Sequence, residues 1–156
     1  MIFPLLVGCD PSAPPPPLPD TPPPATFAGS GWEELAAMDP RQPVPMPATM
    51  ASHQKQQMRD HLVAIQGVMA GLAADDLPAV RAAALRLGTS PEMSATCERM
   101  GAEAEGFTER ALDFHHRADA IAAAAEAGDR GAVIAATADT LHACTACHER
   151  FRQEVR

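Results

Sequence analysis

There is no tyrosine in these 156 residues, and the few phenylalanines with one tryptophan bring aromatics to only 4%. Much of the 46% hydrophobic content is alanine instead. A core built this way has small side chains and narrow helix spacings, so a large apolar group from outside the chain would supply burial that the side chains lack. Positive charge is also scarce. Lys and Arg number 12 against 20 Asp and Glu, a formal charge of −8, which argues against nucleic acid because phosphate binding needs a basic surface. From residue 48 onward, 11 basic and 15 acidic residues still leave −4. A partner met by electrostatic steering would therefore present a basic patch. No period-two strand pattern, glycine-rich phosphate loop or internal repeat occurs, and no Ser/His/Asp order or carboxylate pair calls for catalysis. A carrier or binding protein is expected rather than an enzyme.

Proline, by contrast, is plentiful and unevenly placed. Fourteen of the 16 prolines lie at or before residue 47, and the runs at 14–17 and 22–24 favour solvated polyproline II, which offers no donor to a helix or sheet. Residues 10–47 are expected to be a disordered, semi-rigid tether. Gly31-Trp32-Glu33-Glu34-Leu35-Ala36-Ala37-Met38 is its one amphipathic piece, expected to dock loosely on the folded part. Ahead of the tether, Leu6-Val7-Gly8-Cys9 resembles the lipobox of bacterial lipoproteins, in which the cysteine is acylated and becomes the mature N-terminus. Residues 1–9 then read as a truncated lipoprotein signal with Cys9 as the lipidation site. Only eight residues precede Cys9 and none is basic, short of a full export signal, and a start assigned too far downstream would account for that. The segment is too short to span a bilayer, so the membrane contact would be a lipid anchor in the inner or outer membrane.

The remainder, 48–156, reads as four helices. The first, from about 48 to 74 with Thr49 or Ser52 as its cap, carries the seam Met58, Leu62, Ile65, Met69 and Leu72. The second opens with Asp76-Leu77-Pro78, turns Leu77, Val80, Ala84 and Leu87 inward, and ends at Gly88. Ser90-Pro91-Glu92 starts a third, with Phe107, Ala111, Phe114, Ala118, Ile121 and Ala125 on one face; Gly101 and Gly106 are placed to bend or divide it. After Gly128-Asp129, a fourth runs to the end, with Thr137, Leu141, Cys144, His148, Phe151 and Val155 as its stripe. Short connections predict an all-α, antiparallel four-helix bundle.

That last helix carries Cys144-Thr145-Ala146-Cys147-His148. Cys-x-x-Cys-His is the attachment signature of c-type haem, two sulfurs adding to the vinyl groups and the histidine binding iron. On a helix, residues three and four apart share a face, so both thiols and the imidazole can meet one flat macrocycle. The competing readings are a redox Cys-x-x-Cys pair, a disulfide, or part of a zinc site with a ligand from elsewhere. A thioredoxin-like motif should follow a strand, and no strand pattern precedes this one. Cys97 reads as a small buried hydrophobe, Met93 and Met100 as core, and His115, His116 and His142 as solvated.

Four helices with Cys-x-x-Cys-His on the last, followed by an aromatic and an arginine at Phe151 and Arg152, resemble the class II c-type cytochromes, the cytochrome c′ family. The likeness covers about 50–156 and is closest from 111 to 152. The family is itself a familiar up-down bundle. The resemblance implies one haem c, covalent through Cys144 and Cys147, with His148 as proximal ligand and Met58 at the distal position on the first helix. Relatives with methionine there are six-coordinate, and thioether ligation raises the potential toward an electron carrier's range. His61 is the alternative sixth ligand. The family's propionate arginine falls on Gln54, so Lys55, Arg59 or the better-matched Arg152 would take its place, with Phe151 beside the cofactor.

The expectation is a periplasmic monohaem cytochrome passing single electrons between redox proteins. The first rival is a five-coordinate haem protein binding nitric oxide or carbon monoxide; the second is a haem-free helical interaction module. The resemblance also allows a homodimer through the outer faces of the first two helices.

Overall fold

Capping residues punctuate the chain as its local chemistry dictates. In a computed structural model that describes residues 30–156, the elements are α1 (Ser30–Ala37), β1 (Gln42–Met46), α2 (Ala48–Ala73), α3 (Leu77–Ala84), α4 (Pro91–Gly101), α5 (Phe107–Glu126), α6 (Arg130–Arg150) and β2 (Phe151–Val155). The Asp76 carboxylate accepts from Ala79 N at 2.9 Å, Ser90 Oγ from Met93 N at 3.1 Å and Asp129 from Ala132 N at 2.9 Å, so α3, α4 and α6 each open on a side-chain cap. Neither Thr49 nor Ser52 caps α2. That helix starts earlier, behind Pro47, which supplies no side-chain cap.

The chain divides into a unit ending at Asp39 and a second running Pro40–Arg156. In the first, the amphipathic piece is helical as α1. The lipobox, with Cys9, and most of the tether lie outside the described residues. All else described below belongs to the second unit.

Two expectations about its ends are corrected. The expected tether runs to residue 47, yet Gln42–Met46 is a strand, with Val44 and Met46 only 1% and 3% exposed. The expected last helix extends through Val155, yet α6 stops at Arg150 and Phe151–Val155 pairs in parallel with β1, Gln42 against Phe151 and Met46 against Val155. Helical and strand periods both put Phe151 inward, so periodicity alone could not choose. The choice falls to backbone hydrogen bonding with a segment more than 100 residues away. Pro43 and Pro45 alternate, so the N–H groups they lack are those facing away from β2. The third helix is likewise divided, because Gly106 takes a left-handed φ of 77° just before α5.

Small side chains bring α2 and α3 together. A Cβ at Gly71 would sit 2.7 Å from Val80 Cγ2 and 2.9 Å from its backbone nitrogen. The buried face of α2 is consequently Ala51, Gln54, Ala64, Val68, Gly71 and Leu72, and the predicted bulky seam is corrected: Met58, Leu62 and Met69 are exposed, leaving only Leu72 and the half-buried Ile65 inward. Bulk marked the wrong stripe because close approach selects Gly and Ala. On α5 the predicted face holds, with Phe107, Phe114, Ala118, Ile121 and Ala125 buried.

The core has three clusters. One joins Val68 and Leu72 to Val80, Ala84, Ile121, Ala125 and Val133. A second joins Ala64, Leu87, Phe114, Ala118 and Ala143, with Ile65 and Cys144 against them. The third gathers Val44, Met46, Ala51, Met100, Phe107 and Phe151, with Cys147 against them. Arg130, opening α6, donates to Leu72 O at 2.6 Å and reaches Asp75 at 3.2 Å. A cation there satisfies a carbonyl at the end of α2 and complements its dipole.

Candidate haem-binding site

The final turns of α6 hold Cys144, Cys147 and His148 on one helix. The core-facing residues of α6 are Val133, Thr137, Thr140 and Ala143. Cys144 and Cys147 flank that row half-buried, while His148 and Leu141 stand exposed. The predicted stripe is therefore only partly inward: Thr137 and Phe151 are buried, but Val155, at the end of β2, is exposed. Thr137 and Thr140 are tolerated in the core because their hydroxyls donate back to the Val133 and Ala136 carbonyls at 2.7 and 2.8 Å.

Both motif cysteines are free thiols. Burial pushes the pKa of each above its ordinary value, which keeps them protonated and unreactive as isolated nucleophiles. That disfavours a low-pKa redox pair. Among the described residues, no group of three or more His, Cys, Asp or Glu side chains is arranged to hold a metal ion. Their apolar seating differs at the two positions. Cys144 rests against the cluster of Phe114 and Ala143, Cys147 against that of Phe107 and Phe151.

Beyond the motif, Phe151 is buried and meets Phe107 edge-on at 5.4 Å. The next residue carries an unmet demand. Among the described residues, Arg152 Nε is buried with no hydrogen-bond partner, and one of its terminal nitrogens lies 3.8 Å from Glu154. A buried guanidinium nitrogen needs an acceptor, and a propionate is one. Two thiols and an imidazole at the attachment spacing, apolar walls, and an arginine with a donor to spare four residues past the histidine are a donor set that fits haem c.

The α2 candidates are spread around their helix. Met58 is 37% exposed and belongs to none of the three clusters. His61 is turned inward, stacked on Phe114 at 4.9 Å and edge-on to His115 at 5.4 Å. Burial, reinforced by His115, lowers its pKa to about 4, so it is neutral at pH 7. Arg59 faces solvent and bonds Gln56 at 2.6 Å, and Lys55 is exposed. Gln54 is buried and accepts a short hydrogen bond from Gln153 Nε2, tying α2 to β2.

His115, expected to be solvated, is buried instead. It is 3% exposed, and its Nδ1–H donates to Leu87 O at 2.6 Å. Burial lowers its pKa. The signal available was position: His115 follows Phe114 on the apolar face of α5, whereas His116 and His142 are exposed as expected. Cys97 and Met100 are buried as expected.

The family model for cytochrome C′ matches residues 88–152, which takes in α4, α5, α6 and the whole motif but not α2. No curated protein and no solved structure matches the chain. Cys144, Cys147, His148, Phe151 and Arg152 all lie inside the matched stretch, so residues 88–152 of this chain are similar to the cytochrome C′ family, the class II c-type cytochromes.

Proposed function

We propose that the protein is a periplasmic monohaem cytochrome that carries single electrons between redox proteins, held at the inner or outer membrane by a lipid on Cys9 and the proline-rich tether. The observation that carries this reading is the attachment motif on α6 followed by an arginine whose buried Nε lacks a partner. The order in which the three clusters draw on α2, α3, α5 and α6 supports an antiparallel four-helix bundle around it. Haem, when bound, supplies the redox centre itself.

The chain's own residues hold and insulate that group. Cys144 and Cys147 anchor it, His148 is the proximal ligand, Phe151 packs beside it and Arg152 gives a propionate its donor. Met58 is the sixth ligand in this proposal. Its exposure and its place outside every cluster remove the ordinary explanation that it fills a gap in the core, whereas His61 is already engaged with Phe114 and His115. Arg59, bonded to Gln56, would act only at the cofactor's edge. An acidic chain suits partners with basic patches.

A second reading, five-coordinate iron binding nitric oxide or carbon monoxide, is favoured by one fact: α2, which bears the distal candidates, lies outside the family match. The full chain expressed in a periplasm with haem-attachment machinery decides between them. Intact mass should include one covalent haem, and a sharp low-spin ferrous spectrum little altered by CO supports the carrier. A high-spin spectrum that shifts at once with CO moves the function to gas binding, and a mass without haem sinks both. Cys9→Ser should release the protein from the membrane fraction; a variant still sedimenting with membranes would refute the lipid anchor.

A further inference from the structure

The strand β1 lies against the end of the helix that carries the haem motif. Its partner β2 begins at Phe151, three residues past His148. Val44 and Met46 are buried in the cluster against which Cys147 packs. Just before the strand, an Arg41 guanidinium nitrogen lies 3.4 Å from the His148 carbonyl oxygen. That carbonyl is among the last four of α6, which have no donor within the helix, and a cation complements the helix's negative end. Gln42 adds a contact to Glu105 O at 3.4 Å, and the Arg156 N–H closes the far end on Met46 O at 3.1 Å. Pairing on one side only follows from Pro43 and Pro45, so this strand is a strap and not the start of a larger sheet.

We propose that residues 41–46 are a positioning strap for the haem helix: through β2, Cys147 and the His148 carbonyl they hold the end of α6, and with it the iron-binding imidazole, in place. The inference rests on the haem reading above and adds residues that lie outside the family match. Plain packing would make these residues matter for stability alone. A positioning role makes them matter for the iron. Arg41 has a second consequence, since a fixed positive charge at the helix end bearing the ligand favours the ferrous state, which carries one positive charge fewer.

The test uses the full-length holoprotein. Val44→Ser with Met46→Ser removes the strap's buried side chains, and Val44→Ile with Met46→Leu restores apolar bulk. The expected result is a serine variant that keeps its helical circular dichroism but gives an altered or mixed ferrous spectrum, with the wild-type spectrum regained in the Ile/Leu variant. A serine variant that is merely less stable, with an unchanged spectrum, overturns the proposal. Should the serine variant lose its helical signal, Arg41→Gln decides. It should shift the ferric/ferrous balance about threefold toward ferric, roughly 30 mV for one electron, with recovery in Arg41→Lys, and an unmoved balance overturns the strap. Absence of covalent haem from the unaltered chain would sink the haem reading itself, and the strap's role with it; haem present but insensitive to these changes sinks the strap alone.

Discussion

Met58 and His61 are three residues apart on α2, yet their surroundings separate their roles. Met58 is 37% exposed and lies outside the three core clusters, so on the proposed ligation its replacement should be felt at the iron. Met58→Ala is expected to abolish the low-spin spectrum and tighten CO binding by on the order of tenfold, because a competing internal ligand is gone; CO titration of the ferrous protein measures it. His61→Phe should leave the low-spin spectrum in place, and its loss there would transfer the ligand to His61. The imidazole of His61 has a different consequence. Its folded pKa of about 4 lies below the ordinary 6.5 because burial, then His115, disfavours the charged form. The unfolded chain therefore binds the extra proton first as pH falls. Stability linked to His61 is fully present above about 6.5 and is lost between there and about 4, with no further loss below. Discounted for partial exposure, the loss is about 2 kcal/mol. Urea unfolding at pH 7 and pH 4 should register it, and His61→Phe should flatten that share of the slope.

At the scale of elements, the α2–α3 contact is closed by a missing side chain. Gly71→Ala would force a methyl group against the Val80 backbone, 2.9 Å from its nitrogen, an approach that side-chain rotation cannot relieve. A destabilisation of roughly 1–3 kcal/mol is expected, read as a Tm lower by several degrees. A Tm at or above that of the wild type would mean that α3 moves away without penalty. The same element pair explains why the bulky stripe of Met58, Leu62 and Met69 is not the seam. Apolar periodicity reports which faces could be buried, and on an alanine-rich helix two neighbouring stripes satisfy it. Backbone proximity chose the stripe of Ala64, Val68 and Gly71, which the bulk of the side chains had concealed. On α5 a single apolar face exists, and it was legible from Phe107 to Ala125.

On the proposed function, steering toward a basic partner is a property of the whole molecule's charge. With a formal net charge of −8, electron exchange with a basic redox protein should slow by on the order of tenfold between 10 and 200 mM salt as screening shortens the reach of the field. Stopped-flow rates independent of salt would exclude steering. The chain's own order of residues determined the haem motif, the caps at Asp76, Ser90 and Asp129, and the helical class, because each is local: a few neighbouring side chains decide it through hydrogen bonds and period. Only the tertiary structure decided that Phe151–Val155 leaves the helix, that Gln42–Met46 joins the folded unit, that Gln54 pairs with Gln153, and that His115 is buried. Those outcomes join segments far apart in the chain, where the free energy lies in which backbone donors and apolar faces meet across the fold, and no local pattern encodes the meeting.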